Sequence, residues 1–158
     1  MSVLDAFTWL ENTGAGAAIR ASPWLFPVVE GLHLVGLAFI GGAVLVVDLR
    51  LLGLGLRDEP VARVARAAQP WMTGSLVVML ASGFLLFLSE AVKCYNSFAF
   101  WVKMASLALA IVFAYTVRRR VAAADPAAVD AIWRRVVAAT SLLLWAGVGW
   151  GGRWIGFS

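Results

Sequence analysis

His33 is the only histidine of the chain, and Cys94 the only cysteine. A neutral imidazole is a good iron ligand, a proton carrier and a partner for a quinone, and one proximal histidine suffices for a five-coordinate haem. Glu30 precedes His33 by three residues, so on a helix it is placed to orient the ring. Lys103, Arg153 and Glu90 are further ionisable groups set in or against long apolar runs. Lys103 and Arg153 suit the propionates of a haem. Trp150 and Trp154, which flank Arg153, suit packing on a flat ring. The expected cofactor-binding residues are therefore His33, Glu30, Lys103, Arg153, Trp150 and Glu90, with His33 as the candidate ligand to haem iron. The competing reading is structural: ion pairs and snorkelling ends that lock helices together. No residue is assigned a catalytic role.

The rare residues also exclude chemistry. One histidine and one cysteine cannot supply the four ligands of a zinc site. A disulfide is impossible within the chain, and no CxxCH haem-attachment motif is present. Walker A, HExxH and GxSxG patterns are absent. Gly53-Leu54-Gly55 follows an apolar run rather than a strand and carries no weight as a nucleotide loop. Cys94, between Lys93 and Tyr95, reads as an incidental thiol.

The elements that must hold these residues are membrane helices. Of the 158 residues, 62% are hydrophobic and 14% charged, and the mean hydropathy is +0.87. A soluble domain of this size cannot hide that much apolar surface. Disorder is excluded by the same composition. Four stretches have the roughly 20 apolar residues that a bilayer crossing needs. They predict membrane helices over about 24–54, 70–92, 97–118 and 133–157 in a single domain spanning 1–158. Backbone groups in lipid must be satisfied internally, so an all-α four-helix bundle is expected. Val3, Leu4, Phe7 and Leu10 form an apolar helical face, which predicts a short interfacial helix over about 3–19, with a break near Asn12-Thr13-Gly14. A cleaved signal peptide is not expected, because no basic region precedes an early apolar run. Segments 57–70 and 118–130 read as amphipathic connectors punctuated by Pro60, Pro70 and Pro126.

Charge sets the expected orientation. The loops after the first and third spans carry Arg57, Arg63, Arg66, Arg118, Arg119, Arg120, Arg134 and Arg135, against Arg20, Lys93 and Arg153 on the other side. That asymmetry places both termini in the periplasm of a bacterial inner membrane. The arginines suit anionic lipid; no aromatic platform is interleaved with them, so nucleic acid is not an expected partner. Trp24, Trp71, Trp101 and Trp154 suit the interfacial belt.

Depth and facing refine the site. At about 1.5 Å per residue, Glu30 lies about 9 Å inside the first span and Lys103 about 7–8 Å inside the third. With Glu90 and Arg153, each span then delivers an ionisable group to one layer. Small residues line helix contacts in membranes. The inward stripes expected are His33-Gly36-Ala43, Ser75-Met79-Ser82-Gly83-Glu90, Lys103-Ser106-Ala110-Ala114 and Ala139-Leu142-Ala146-Gly149-Arg153. Asp48-Leu49-Arg50 closes the first span and suits an ion pair to a neighbouring loop. His33 to Arg50 and Lys103 to Arg120 are both seventeen residues, a weak hint of two related halves.

Gly31-Leu32-His33, Asp48-Leu49-Arg50-Leu51-Leu52-Gly53, Phe100-Trp101-Val102-Lys103 and Gly152-Arg153-Trp154-Ile155 together resemble an uncharacterised family of small bacterial integral membrane proteins over nearly the whole chain. More distantly, the histidine-bearing first helix and the Trp-x-Lys third helix resemble HemJ-type protoporphyrinogen oxidases and the copper-resistance protein D family. The HemJ resemblance implies haem association with roles for His33 and Lys103. The further histidines of HemJ-type chains and the Met/His-rich ligands of copper importers are not found.

Three functional classes follow. The first is a membrane protein holding haem b, another porphyrin or a quinone for electron transfer or redox chemistry. The second is a non-catalytic subunit of a larger membrane complex or a homo-oligomer. The third is a small-solute or metal transporter.

Overall fold

A computed structural model describes residues 2–125 and 127–157. Pro126, one of the expected punctuation points, lies outside the described residues. The described residues form helices and no strand: α1 (Val3–Glu11), α2 (Gly14–Ala21), α3 (Leu25–Leu52), α4 (Val61–Ser89), α5 (Ala91–Asn96), α6 (Phe98–Ala123) and α7 (Ala131–Ile155). Helices α3, α4, α6 and α7 are long and apolar enough to cross a membrane. Their outer faces expose Val28, Leu34, Val77, Leu109, Val112 and Leu143. So much apolar surface on every side requires lipid around it. This is an integral membrane four-helix bundle.

Local chemistry sets the helix ends. Ser2 and Asp5 form a capping box: Ser2 Oγ accepts from Asp5 N at 3.2 Å, and Asp5 Oδ2 accepts from Ser2 N at 2.7 Å. That hydrogen-bonding holds the Asp5 carboxyl below the usual carboxylate range. Thr13 starts α2 by accepting from Gly16 N. The N-terminal segment is thus two helices rather than one. Gly53, at φ 79°, ends α3; Gly53 N donates to Arg50 O at 3.1 Å and Leu54 N to Leu49 O at 2.9 Å. This is a Schellman ending, which needs the left-handed residue that glycine supplies. Asp130 caps α7 through Ile132 N.

Three boundaries differ from the sequence expectation. Helix α4 begins at Val61 and runs through Pro70 rather than starting there. Val61, Val64 and Ala68 are buried, and that buried stripe outweighs the one backbone bond that Pro70 removes. The α4 helix stops at Ser89, and α5 follows as a separate element. The break is satisfied by the N-terminal helices: Arg20 Nη1 donates to Ser89 O at 3.1 Å, and Glu11 Oε2 accepts from Val92 N at 2.7 Å. Helix α6 continues five residues past 118, through a π turn at Ala114–Arg118, because Val121 and Ala122 still pack inward.

The helices pack as two pairs, α3 with α4 and α6 with α7, joined mainly through α3 and α7. The α6–α7 seam is close. A Cβ on Gly147 would lie 2.7 Å from Ser106 Oγ, and one on Gly151 would lie 2.8 Å from Lys103 Cβ and 2.9 Å from Ala99 O. Gly147 and Gly151 are four apart, the spacing that lets membrane helices touch backbone to backbone. The apolar core, with Ile40, Val44, Val47, Val64, Met72 and Val137, fills the half of the bundle nearer the two interhelical loops.

Candidate functional site

In the half nearer the chain termini lies a cavity of about 370 Å³, lined from both pairs. His33 comes from α3, Gly83 and Phe87 from α4, Lys103 from α6 and Trp145 from α7. All four membrane helices therefore contribute. The walls are otherwise apolar apart from the histidine, the lysine and the indole N–H.

His33 is held by α4. Its Nδ1 lies 2.9 Å from Ser82 Oγ, while Ser82 Oγ donates to Val78 O at 2.6 Å. A hydroxyl has one proton. That proton serves either Val78 O or Nδ1, and the ring tautomer follows from which of the two takes it. Either way the contact with Ser82 engages Nδ1, and Nε2 is the ring nitrogen outside that contact. The ring also presses on Gly83, whose Cβ position would lie 3.1 Å from His33 Cε1. A methyl at residue 83 would make the ring give by a few tenths of an ångström.

Lys103 runs along the glycines of α7: a Cβ on Gly152 would lie 3.7 Å from its Nζ. Its ammonium has no hydrogen bond or ion pair among the described residues. Trp145 Nε1 is buried and also lacks a hydrogen-bond partner. A cation and two ring nitrogens are thus available at one apolar cavity, the arrangement that orients a small ligand.

The other expected residues lie elsewhere. Glu30 is exposed and does not touch His33; the inward face of α3 at that level passes through Phe26, Val29, His33 and Gly36, and Glu30 sits about 100° from Val29. Ser82 does the orienting that Glu30 was expected to do. Arg153 is exposed, with its guanidinium over the Phe157 ring at 4.5 Å from the centroid. Trp150 and Trp154 stack on each other on the outside, centroids 5.5 Å apart. The expected α7 stripe Ala139-Leu142-Ala146-Gly149-Arg153 is not the buried one: Ala139, Ala146 and Arg153 are exposed, while Leu142 packs against the core from its edge. Instead, Val137, Ala138, Ser141, Val148 and Gly151 are buried, because Gly147 and Gly151 dock on α6 and fix the rotation of the helix. Glu90 is half-buried at the α4–α5 break, outside the cavity wall. Cys94, buried nearby in α5, has its thiol pushed up to about 11 by burial first and by the Glu90 charge second, so it is a poor nucleophile.

A second polar site lies in the opposite half. Asp48 is completely buried on α3. Arg118 Nε donates to Asp48 Oδ1 at 2.5 Å, and Arg118 Nη2 donates to Val44 O at 3.1 Å. Arg118 is 5% exposed, whereas Arg119 and Arg120 are exposed. The expected role of Arg118 as a loop arginine is corrected accordingly. The signal was present: the stripe Lys103, Ser106, Ala110, Ala114, extended by one turn, lands on Arg118. Arg50 does bind a neighbouring loop, through the carbonyls of Glu59 at 2.7 Å and Arg57 at 3.3 Å.

Fold and cavity together define a helical integral membrane protein whose polar groups converge on an apolar pocket at membrane depth. The chain belongs to a family of unknown function, DUF6644, whose profile matches residues 7–158. No curated protein and no solved structure matches it.

Proposed function

We propose that the His33–Lys103 cavity binds a planar, lipid-soluble redox group, a b-type haem or a quinone, and that the protein serves electron transfer within the membrane. One observation carries the reading: a histidine held through Nδ1 by Ser82, and a lysine with no hydrogen bond or ion pair among the described residues, share a cavity that is otherwise apolar. Unpaired ionisable groups at membrane depth are costly and are retained for function.

The residues suit either group. For a haem, His33 would ligate the iron through Nε2, the Ser82 hydroxyl would hold the ring as an outer-shell partner does, and Lys103 would pair with one propionate. Bound haem supplies one-electron chemistry. For a quinone, Lys103 would donate to one carbonyl oxygen; for a quinol, Nε2 could in addition accept from a hydroxyl. Arginine asymmetry between the loops supports an inner-membrane location with periplasmic termini.

Oxidised and reduced absorption spectra of the purified protein, paired with chromatography of its organic extract, test the proposal. The expected result is either a Soret band lost in His33→Ala or about one quinone per chain lost in the same variant. A colourless, quinone-free protein that co-purifies with other membrane subunits would overturn it in favour of an accessory role. A colourless protein whose melting shifts with a small solute would favour transport.

A further inference from the structure

We infer that the occupant is an isoprenoid quinol, taken sideways from the bilayer through a window between α4 and α6, with its ring between His33 and Lys103 and its tail left in lipid. The inference rests on the cofactor reading above and narrows it.

The window has a defined frame. Towards the termini, Phe87 of α4 and Phe100 of α6 stack with centroids 5.6 Å apart and planes 11° from parallel. Towards the loops, Thr73 Oγ1 and Tyr115 OH meet at 2.9 Å, and Arg118 ties α6 to α3. Between these ties α4 and α6 make few contacts. From Leu76 to Phe87 the gap runs about 16 Å along α4. Leu80, Phe84 and Met104 line the cavity and are also 46%, 56% and 43% exposed. One set of side chains therefore faces both the interior and the acyl chains. A ligand reaches His33 through them without crossing the headgroup layer.

The route from the aqueous side is covered. Phe7 of α1 packs on Phe87 at 5.4 Å and on Tyr95 at 5.2 Å. The Arg20 and Glu11 bonds to the α4–α5 break hold that cap in place.

The polar groups select the ligand. A quinol carries a hydroxyl that donates to Nε2 and a second oxygen that accepts from Lys103. A haem carries two carboxylates, and the cavity holds one cation, since Arg153 sits outside over Phe157. The volume, about 370 Å³, is at the lower end of small-molecule sites, roughly 300–1,000 Å³. It matches a single ring whose tail stays outside better than a whole macrocycle.

The test mixes the protein in quinone-free nanodiscs with vesicles carrying decylubiquinol, then quantifies quinol retained per chain over time. About one quinol per chain is expected. His33→Phe and Lys103→Met should each weaken retention at least tenfold, with thermal melting as the folding control. Leu80→Trp combined with Met104→Trp, at lipid-exposed rim positions, should slow loading at least tenfold. Unchanged loading in the rim variant overturns the window. A His33-dependent Soret band without quinol retention overturns the quinol and leaves the cofactor reading standing. Retention of neither group overturns both.

Discussion

The two halves of this bundle treat buried charge in opposite ways. Near the interhelical loops, Asp48 and Arg118 sit in a close-packed core and bind each other. Near the termini, His33 and Lys103 face a cavity, and Lys103 has no hydrogen bond or ion pair among the described residues. Both arrangements place ionisable groups at membrane depth, where they are expensive. In the first, the partner supplied by the fold absorbs the charge, and the pair works as a clamp on α3 and α6. In the second, no partner is supplied, and the polar capacity remains for a ligand. The difference teaches that intramembrane charge alone does not mark a site; charge left unmatched beside open space does.

Mutations can break this contrast, and the clamp should respond most. Arg118→Leu or Asp48→Leu strands one buried charge and should cost about 3–5 kcal/mol. The double variant should recover most of that loss in detergent melting curves. Equal destabilisation by the double variant and the singles would remove the clamp from the account. The α6–α7 seam should come next. Gly151→Ala drives a methyl into Lys103 and Ala99 and should cost about 1–3 kcal/mol. The same melts should show whether Gly147→Ala follows it. Lys103→Met should leave the melting midpoint unchanged or raised, because no partner is orphaned. A drop comparable to that of Arg118→Leu would erase the distinction between the halves.

The smallest effect concerns Cys94. Its thiol is pushed up to about 11, so folded protein binds this proton more tightly than the unfolded chain does. The associated stability is present below the ordinary thiol pKa and is lost as pH rises through 11. Iodoacetamide should therefore label the folded protein very slowly at pH 8, faster with each pH unit up to about 11, and rapidly once denatured. Rapid labelling at pH 8 would show that the cap over the cavity opens.

Legibility in the sequence followed the range of the interaction. The four spans could be read because burial in lipid demands runs of apolar residues, and such runs are local. His33 and Lys103 could be read as exceptions within those runs. The stripes of α3, α4 and α6 were also legible, since Gly36, Ser82 and Ala110 each lie at helical spacing from other stripe residues and are buried. The α7 stripe was misread. Small residues occur on two sides of that helix, and only the fit of Gly147 and Gly151 against Ser106 and Lys103 selects between them. That choice turns Arg153 and Trp150 out of the site. Pro70 was misread as a helix start because the gain that carries α4 through it comes from partners distant in sequence.

The sequence by itself determined that this chain lives in a membrane, crosses it with four helices and carries one histidine and one lysine at depth. Hydropathy and residue counts need no knowledge of neighbours. The tertiary structure decided which charges meet and which stay unpaired, that Ser82 rather than Glu30 holds the imidazole, and that a cavity separates α4 from α6. Those outcomes depend on the rotation of each helix about its axis. Rotation is set by close contacts between glycines and facing side chains, which no one-dimensional pattern contains.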